Sequence, residues 1–124
     1  MPDPVVLISG CSSGIGRALA DTFKAAGYSV WAGARKTADL EQLSAAGFIA
    51  VALDVNDATA IGQAVERLGR EAGRLDILIN NAGYGGIAPL LDGGVEAIHR
   101  QFETNVYSLV GVTRACFDLL RASK

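Results

Sequence analysis

Four branched or bulky apolar residues, Val5-Val6-Leu7-Ile8, run straight into Ser9-Gly10-Cys11-Ser12-Ser13-Gly14-Ile15-Gly16, and no other stretch constrains the fold of this chain as tightly. An unbroken apolar run closed by glycine reads as a short strand buried on both faces. Beyond the loop, Ile15, Leu19 and Phe23 recur every four residues, the repeat of one helix face. The glycines therefore sit on a strand-to-helix turn. Such a turn aims free backbone amides and the positive end of the helix dipole at one small volume, which suits a phosphate anion. Gly10 takes the tight turn, Gly14 admits a ligand close to the backbone, and Gly16 lets the helix approach the strand. The spacing Gly-x3-Gly-x-Gly is not the Gly-x-Gly-x2-Gly dinucleotide fingerprint. Nor is it a P-loop, since Ile15 stands five residues after Gly10 and Arg17 is followed by Ala18. Alone, a three-glycine loop in a chain with 15 glycines fits a plain tight turn as well as a phosphate cradle.

The rest of the chain repeats the same unit. Gly27 ends the first helix as its C′ residue after Ala25-Ala26. A second strand, Tyr28 to Ala34, is centred on Val30 and Trp31 and gives way to Arg35-Lys36. Thr37 is placed to cap a short helix that buries Leu40 and Leu43 and stops at Gly47. A third strand, Phe48 to Leu53, delivers Asp54, and Asp57 caps a helix with Ile61, Val65 and Leu68 on one side. The fourth strand, Asp76 to Ile79, runs into Asn80-Asn81-Ala82-Gly83. Strands alternating with helices through short connections specify an α/β fold with a parallel sheet wound by right-handed crossovers. Ligands of such sheets bind at the carboxyl ends of the strands. Gly10, Arg35, Asp54 and Asn81 stand at those ends, one per strand, a coincidence that a plain scaffold does not require.

Tyr84 to Pro89 reads as a loop fit to act as a lid. A short helix covers Val95 to Phe102 and carries His99, the one histidine, which reads as a surface residue because no other ligand or base is near it in sequence. The last helix runs from Asn105 to the end. With 124 residues, 50% hydrophobic and 19% charged, the chain has the size of one domain, 1–124, and excludes disorder. A net charge of −2 gives no footprint for nucleic acid or a membrane surface. Met1-Pro2-Asp3-Pro4 has no basic residue, so no secretory leader is expected, and no run of about 18 apolar residues exists to span a bilayer. Cys11 and Cys116 read as free thiols of a reducing cytosol, and no metal site is expected. Cys11, close to a helix N-terminus, has either some thiolate character or simply the right size.

Gly10-x3-Gly14-Ile15-Gly16, Asp54-Val55, Asn80-Asn81-Ala82-Gly83 and Thr104-Asn105-Val106 stand in the order and spacing of the short-chain dehydrogenases/reductases, which this chain resembles over almost its whole length. The resemblance implies a Rossmann-type sheet in strand order 3-2-1-4 and an oxidoreductase that passes hydride between a nicotinamide and an alcohol or ketone. It implies that Gly10, Ser12, Ser13, Gly14, Ile15 and Gly16 hold the cofactor pyrophosphate, and that Asp54, with Val55, meets the adenine. Asn81, Ala82 and Gly83 would line the ribose and nicotinamide side. Asn105 would belong to the catalytic tetrad, shaping its helix and holding a water of the proton relay. Arg35-Lys36 stands where an NAD-selective site carries an acid, with none before Asp39, so a 2′-phosphate partner and NADP(H) are expected over NAD(H).

The chain departs from the family pattern in its catalytic residues. The family's Tyr-x3-Lys pair is absent: Tyr28, Tyr84 and Tyr107 are followed four residues later by Ala32, Ala88 and Gly111. The catalytic serine, upstream of that pair in the family, has no counterpart either. The chain thus reads as the N-terminal, cofactor-binding half, truncated relative to the full doubly wound fold and inactive alone. The alternatives are a non-catalytic nucleotide-binding module or a self-associating scaffold. From Val106 to Leu120 the apolar positions sweep about 220° of the helix, more than one sheet face covers. A homo-oligomer is therefore expected through the Asn105–Leu120 helix, the Asp76–Ile79 edge, or both.

Overall fold

The computed structural model describes residues 2–87 and 90–123. Four parallel strands, β1 (Val5–Ile8), β2 (Ser29–Ala34), β3 (Ile49–Ala52) and β4 (Ile77–Ile79), form one sheet in the order β3-β2-β1-β4. This is the expected Rossmann-type order. Helices α1 (Gly14–Ala25), α2 (Thr37–Ala45) and α3 (Ala58–Glu71) connect the strands; α4 (Leu90–Phe102) and α5 (Ser108–Ala122) follow β4. The alternation of β1 decides which core each residue enters. Val5 and Leu7 join Trp31, Val51, Leu53, Ile61, Leu68, Val112 and Cys116 on the face covered by α3 and α5. Val6 and Ile8 join Ala20, Val30, Ala32, Leu43 and Phe48 on the face covered by α1 and α2. A period-2 strand between two helical layers needs apolar residues on both sides, which is why β1 shows no polar position.

The start of the sheet is pinned by Asp76. Its carboxylate accepts from the Val5 amide at 2.7 Å and from Arg74 at 2.7 and 2.9 Å, and its own amide donates to Val5 O at 2.9 Å. The Arg74 guanidinium, with the Val5 amide, holds the Asp76 carboxyl below its ordinary range. β4 pairs with β1 alone among the described residues, so its outer edge is open, as expected.

Gly27 (φ +90) and Asp57 perform their expected jobs: the first follows the C-cap of α1, and the second accepts from Thr59 N and Ala60 N at 3.0 and 3.3 Å. Thr37 does not cap α2. It is the first helical residue, and Lys36, extended at φ −92 and ψ 138, takes the cap position without a side-chain bond. Only two residues separate β2 from α2, so the chain has to turn helical one residue sooner than a Thr37 cap allows.

The last helical region also differs from the expectation. α4 is interrupted at Gly94 (φ 66, ψ 178), so its regular part does begin near Val95. A π-turn, Glu103–Tyr107, then leads into α5, which starts at Ser108 rather than Asn105. Among the described elements the backbone of α4 comes close only to this π-turn. Its apolar residues Val95, Ile98 and Phe102 form an exposed stripe at helical spacing, and Leu91, before the interruption, is exposed as well. α5 buries Val112 and Cys116, whereas Leu109, Val110 and Phe117 stay exposed. Ala88 and Pro89 of the expected lid lie outside the described residues; Tyr84 to Ile87 carry no regular structure. No helix of the described residues is long and apolar enough to cross a membrane.

Candidate functional site

The turn after β1 is built by bonds that cross from the first strand to the fourth. The Ser9 hydroxyl, buried at the end of β1, accepts from the amides of Asn81 (3.0 Å) and Ala82 (2.9 Å). The Asn81 side chain in turn donates to the Gly10 carbonyl at 3.0 Å. Gly10 adopts φ +69, which favours glycine, and a Cβ there would stand 2.9 Å from Ala82 Cα. At Gly16 a Cβ would overlap the Gly10 carbonyl oxygen, so the first turn of α1 reaches the loop only because Gly16 has no side chain. Gly14 differs: nothing lies within 4 Å of its Cβ position.

The N-terminus of α1 is left open. Ser13 is extended (φ −162, ψ 178) and makes no side-chain cap, so the first amides keep their donors for another partner. Ile15 directly behind is 74% exposed, an aliphatic surface beside those amides. An open cradle of amides with room at Gly14 fits a phosphate or pyrophosphate group.

Gly10, Ser12, Ser13, Ile15, Arg35, Asp54, Val55, Asn81, Ala82 and Gly83 all line one cavity of about 820 Å3. The four strand ends thus meet in a single place, within the range of ligand-binding cavities. Asp54 is half-buried, and one carboxylate oxygen accepts from the Asn56 amide at 3.0 Å. Arg35 and Lys36 are exposed and form no salt bridge among the described residues. Gly14, Gly16 and Asn105 do not line the cavity.

Asn105 stands behind the wall. Its Oδ1 accepts from the Tyr84 amide (2.9 Å) and its Nδ2 donates to the Tyr84 carbonyl (2.6 Å). This two-point grip fixes the first residue of the expected lid loop, and it is made from the π-turn, where the i→i+5 pattern appears as Ser108 N donating to Glu103 O. Asn80, the neighbour of the gripping segment, donates from Nδ2 to Thr113 Oγ1 at 3.0 Å and ties the end of β4 to α5.

Two residues behave otherwise than their sequence position suggests. Cys11 is no activated thiol: it is buried, donates to Ile8 O at 3.2 Å, and burial pushes it up to about 11. Size, not reactivity, accounts for it. His99 is exposed, as expected, yet it lies with Arg100 and Glu103 at the mouth of the cavity. Sequence reasoning missed the parts of Ser9, which buttresses the turn, and of Asn56, which lines the cavity, and quoted Thr104 only as a motif neighbour of Asn105. For Ser9 a signal existed, a small hydroxyl residue between an apolar strand and its turn glycine.

The comparisons agree with this geometry. A family model described as short chain dehydrogenase matches residues 4–124. The NADPH-dependent 3-dehydrocapnine reductase of Ornithobacterium rhinotracheale is 34% identical over 123 residues, covering 95% of this chain and 44% of that protein. The NADPH-dependent 1-acyldihydroxyacetone phosphate reductase of Schizosaccharomyces pombe is 36% identical over 120 residues, covering 94% and 40%. The crystal structure of a short-chain dehydrogenase from Streptomyces avermitilis superimposes with a TM-score of 0.90 at 34% identity, covering 98% of this chain and 46% of that one. The chain thus spans less than half the length of these relatives. With a family model matching residues 4–124 and the same sheet order in a solved relative, the chain belongs to the short-chain dehydrogenase/reductase family.

Proposed function

We propose that this chain forms the cofactor-binding part of an NADP(H)-dependent oxidoreductase acting on an alcohol or ketone. The observation that carries the reading is the meeting of all four strand ends in one cavity, closed on one side by the Asn81–Gly10 bond. The open amides of α1 with Ser12 and Ser13 would hold the pyrophosphate, Asp54 and Val55 the adenine, and Ala82 and Gly83 the ribose and nicotinamide side. Arg35, exposed at the rim and without a carboxylate partner among the described residues, would take the 2′-phosphate. When bound, the nicotinamide supplies the hydride. Asn105 acts from behind the wall by fixing the Tyr84 backbone, in keeping with a positioning part in the tetrad. No Tyr-x3-Lys pair occurs in these 124 residues. The alternative is a nucleotide-binding module that does not itself turn over.

The exposed stripe of α4 and the outer face of α5 are proposed to meet a second copy of the chain, with the open β4 edge as a further contact. Two free, buried thiols suit a cytoplasmic protein. The test of the cofactor reading is a parallel titration of NADPH and NADH into the full chain and its Arg35→Asp variant. A charge-assisted phosphate bond is worth about 1.5–3 kcal/mol, so the variant should lose roughly ten- to a hundredfold in NADPH affinity and keep NADH. Equal affinities for both cofactors in both proteins would overturn the assignment of Arg35. Both readings expect NADPH binding without turnover by these 124 residues, so they separate on the gene: a Tyr-x3-Lys pair encoded beyond Lys124 supports the oxidoreductase part, and a reading frame without one supports the module.

A further inference from the structure

We propose that the hydrogen bond between Asn56 and Thr104 is a latch that positions the π-turn, and through it the Asn105–Tyr84 grip, against the adenine end of the cavity. The inference rests on the nucleotide reading above for its ligand arm only. Asn56 Nδ2 donates to Thr104 Oγ1 at 2.9 Å across 48 residues of sequence, and both residues line the cavity.

Each end of this bond is anchored in a different part of the fold. Asn56 rides on a fixed corner: its amide donates to Asp54 Oδ1, the Asp57 amide donates to Asp54 O at 3.0 Å, and Asp57 caps α3. Its side chain therefore starts from a rigid base that includes the expected adenine partner, Asp54. Thr104 is the second residue of the π-turn, and its carbonyl accepts from the Ser108 hydroxyl. The next residue is Asn105, whose side chain is fully engaged by the Tyr84 backbone.

The π-turn itself meets only α4 and α5 among the elements described. No strand backbone comes as close. Its ties to the strand ends are side-chain bonds, with Asn56–Thr104 on the β3 side of the cavity and Asn105–Tyr84 on the β4 side. A π-turn sits poorly on intrinsic grounds and is kept where its surroundings hold it. Removing the β3 tie leaves the turn held from one side, and the Tyr84 amide should open more often. An adenine ring seated on Asp54 and Val55 would brace the same corner and close it further.

The experiment follows hydrogen exchange of the Tyr84 amide by NMR in the full chain, Asn56→Ala, Thr104→Val and Thr104→Ser. The Leu7 amide in β1 reports global opening. Loss of one exposed hydrogen bond should speed Tyr84 exchange about three- to tenfold in Asn56→Ala and Thr104→Val. Leu7 should be unchanged, and Thr104→Ser, which keeps the hydroxyl, should match the parent. Adenosine 2′,5′-bisphosphate, which has the adenine end and no nicotinamide, should slow Tyr84 exchange in the parent and leave Asn56→Ala unslowed. Equal Tyr84 exchange in the parent, Asn56→Ala and Thr104→Val overturns the latch, as does a parallel rise at Leu7. If the bisphosphate changes no amide of the parent, the nucleotide reading fails, and the ligand-free comparison still decides the latch.

Discussion

A methyl group on Gly16 should break the contact on which the glycine turn after β1 depends. Built on the backbone, its Cβ overlaps the Gly10 carbonyl oxygen and stands 2.5 Å from Asn81 Nδ2, two atoms joined by a 3.0 Å hydrogen bond. Neither can swing aside cheaply. Gly10 is main chain held at φ +69, and Asn81 is tied through its own amide to the Ser9 hydroxyl. Either α1 lifts off the turn or the Asn81–Gly10 bond opens. Overpacking a tight site costs about 1–3 kcal/mol, and leaving a polar partner unsatisfied costs about 1–3 kcal/mol more. Alanine returns about 1 kcal/mol of helix propensity. The net expectation for Gly16→Ala is about 3 kcal/mol, a large share of a typical total of about 5–15 kcal/mol. At an m-value of about 2 kcal/mol/M, urea unfolding should shift down by about 1.5 M, read by fluorescence of the buried Trp31. Two controls bracket it. Gly14→Ala meets no atom within 4 Å but sits at φ +59, so it should cost about 1–2 kcal/mol from backbone strain alone. Gly62→Ala, inside α3 with open space around it, should stabilise by about 0.5–1 kcal/mol. A Gly16→Ala midpoint equal to or above that of Gly14→Ala would refute the collision argument.

Asp57→Ala should cost about 1 kcal/mol by urea unfolding, since it removes the acceptor for Thr59 N and Ala60 N at the start of α3. Both thiols titrate near 11 in the fold, pushed up by burial, so the folded state holds its protons longer than the unfolded chain. Stability should therefore be intact below pH 9 and fall between pH 9 and 11, by about 1.4 kcal/mol per pH unit per thiol; the same titration on Cys11→Ala/Cys116→Ala should be flatter. Asp76 gives the opposite sign: with its carboxyl held low by Arg74, its contribution is present above the ordinary value of 3.8 and lost as pH falls through the folded value, and Asp76→Asn should remove that acid limb. For the exposed face of α5, sedimentation should find a dimer or larger assembly at micromolar concentration that Leu109→Glu or Phe117→Glu dissociates; a parent monomer refutes the proposed contact.

What was legible in the sequence is what a local pattern controls. Val5–Ile8 is apolar at every position because both sheet faces are covered, and that alone announces a buried strand. Gly27 and Gly47 at positive φ mark helix ends, and Asp57 caps with a bond two residues away. Thr37 failed because a two-residue connection overrode the side chain's preference. The missed residues share one property. Ser9 bonds across 72 and 73 residues and Asn56 across 48, each from a side chain to a group that its own neighbourhood does not specify, and the grip of Asn105, a residue the sequence did offer, spans 21. The π-turn belongs with them: an i→i+5 pattern has no composition of its own and is held by Thr104 and Asn105 gripping distant partners. Strand ends therefore determine where the cavity lies, since they are fixed by patterns of three to six residues. The stiffness of its rim comes from long-range side-chain bonds, so Asn105 can be recognised as a residue in the sequence while its grip on Tyr84 exists only in the fold.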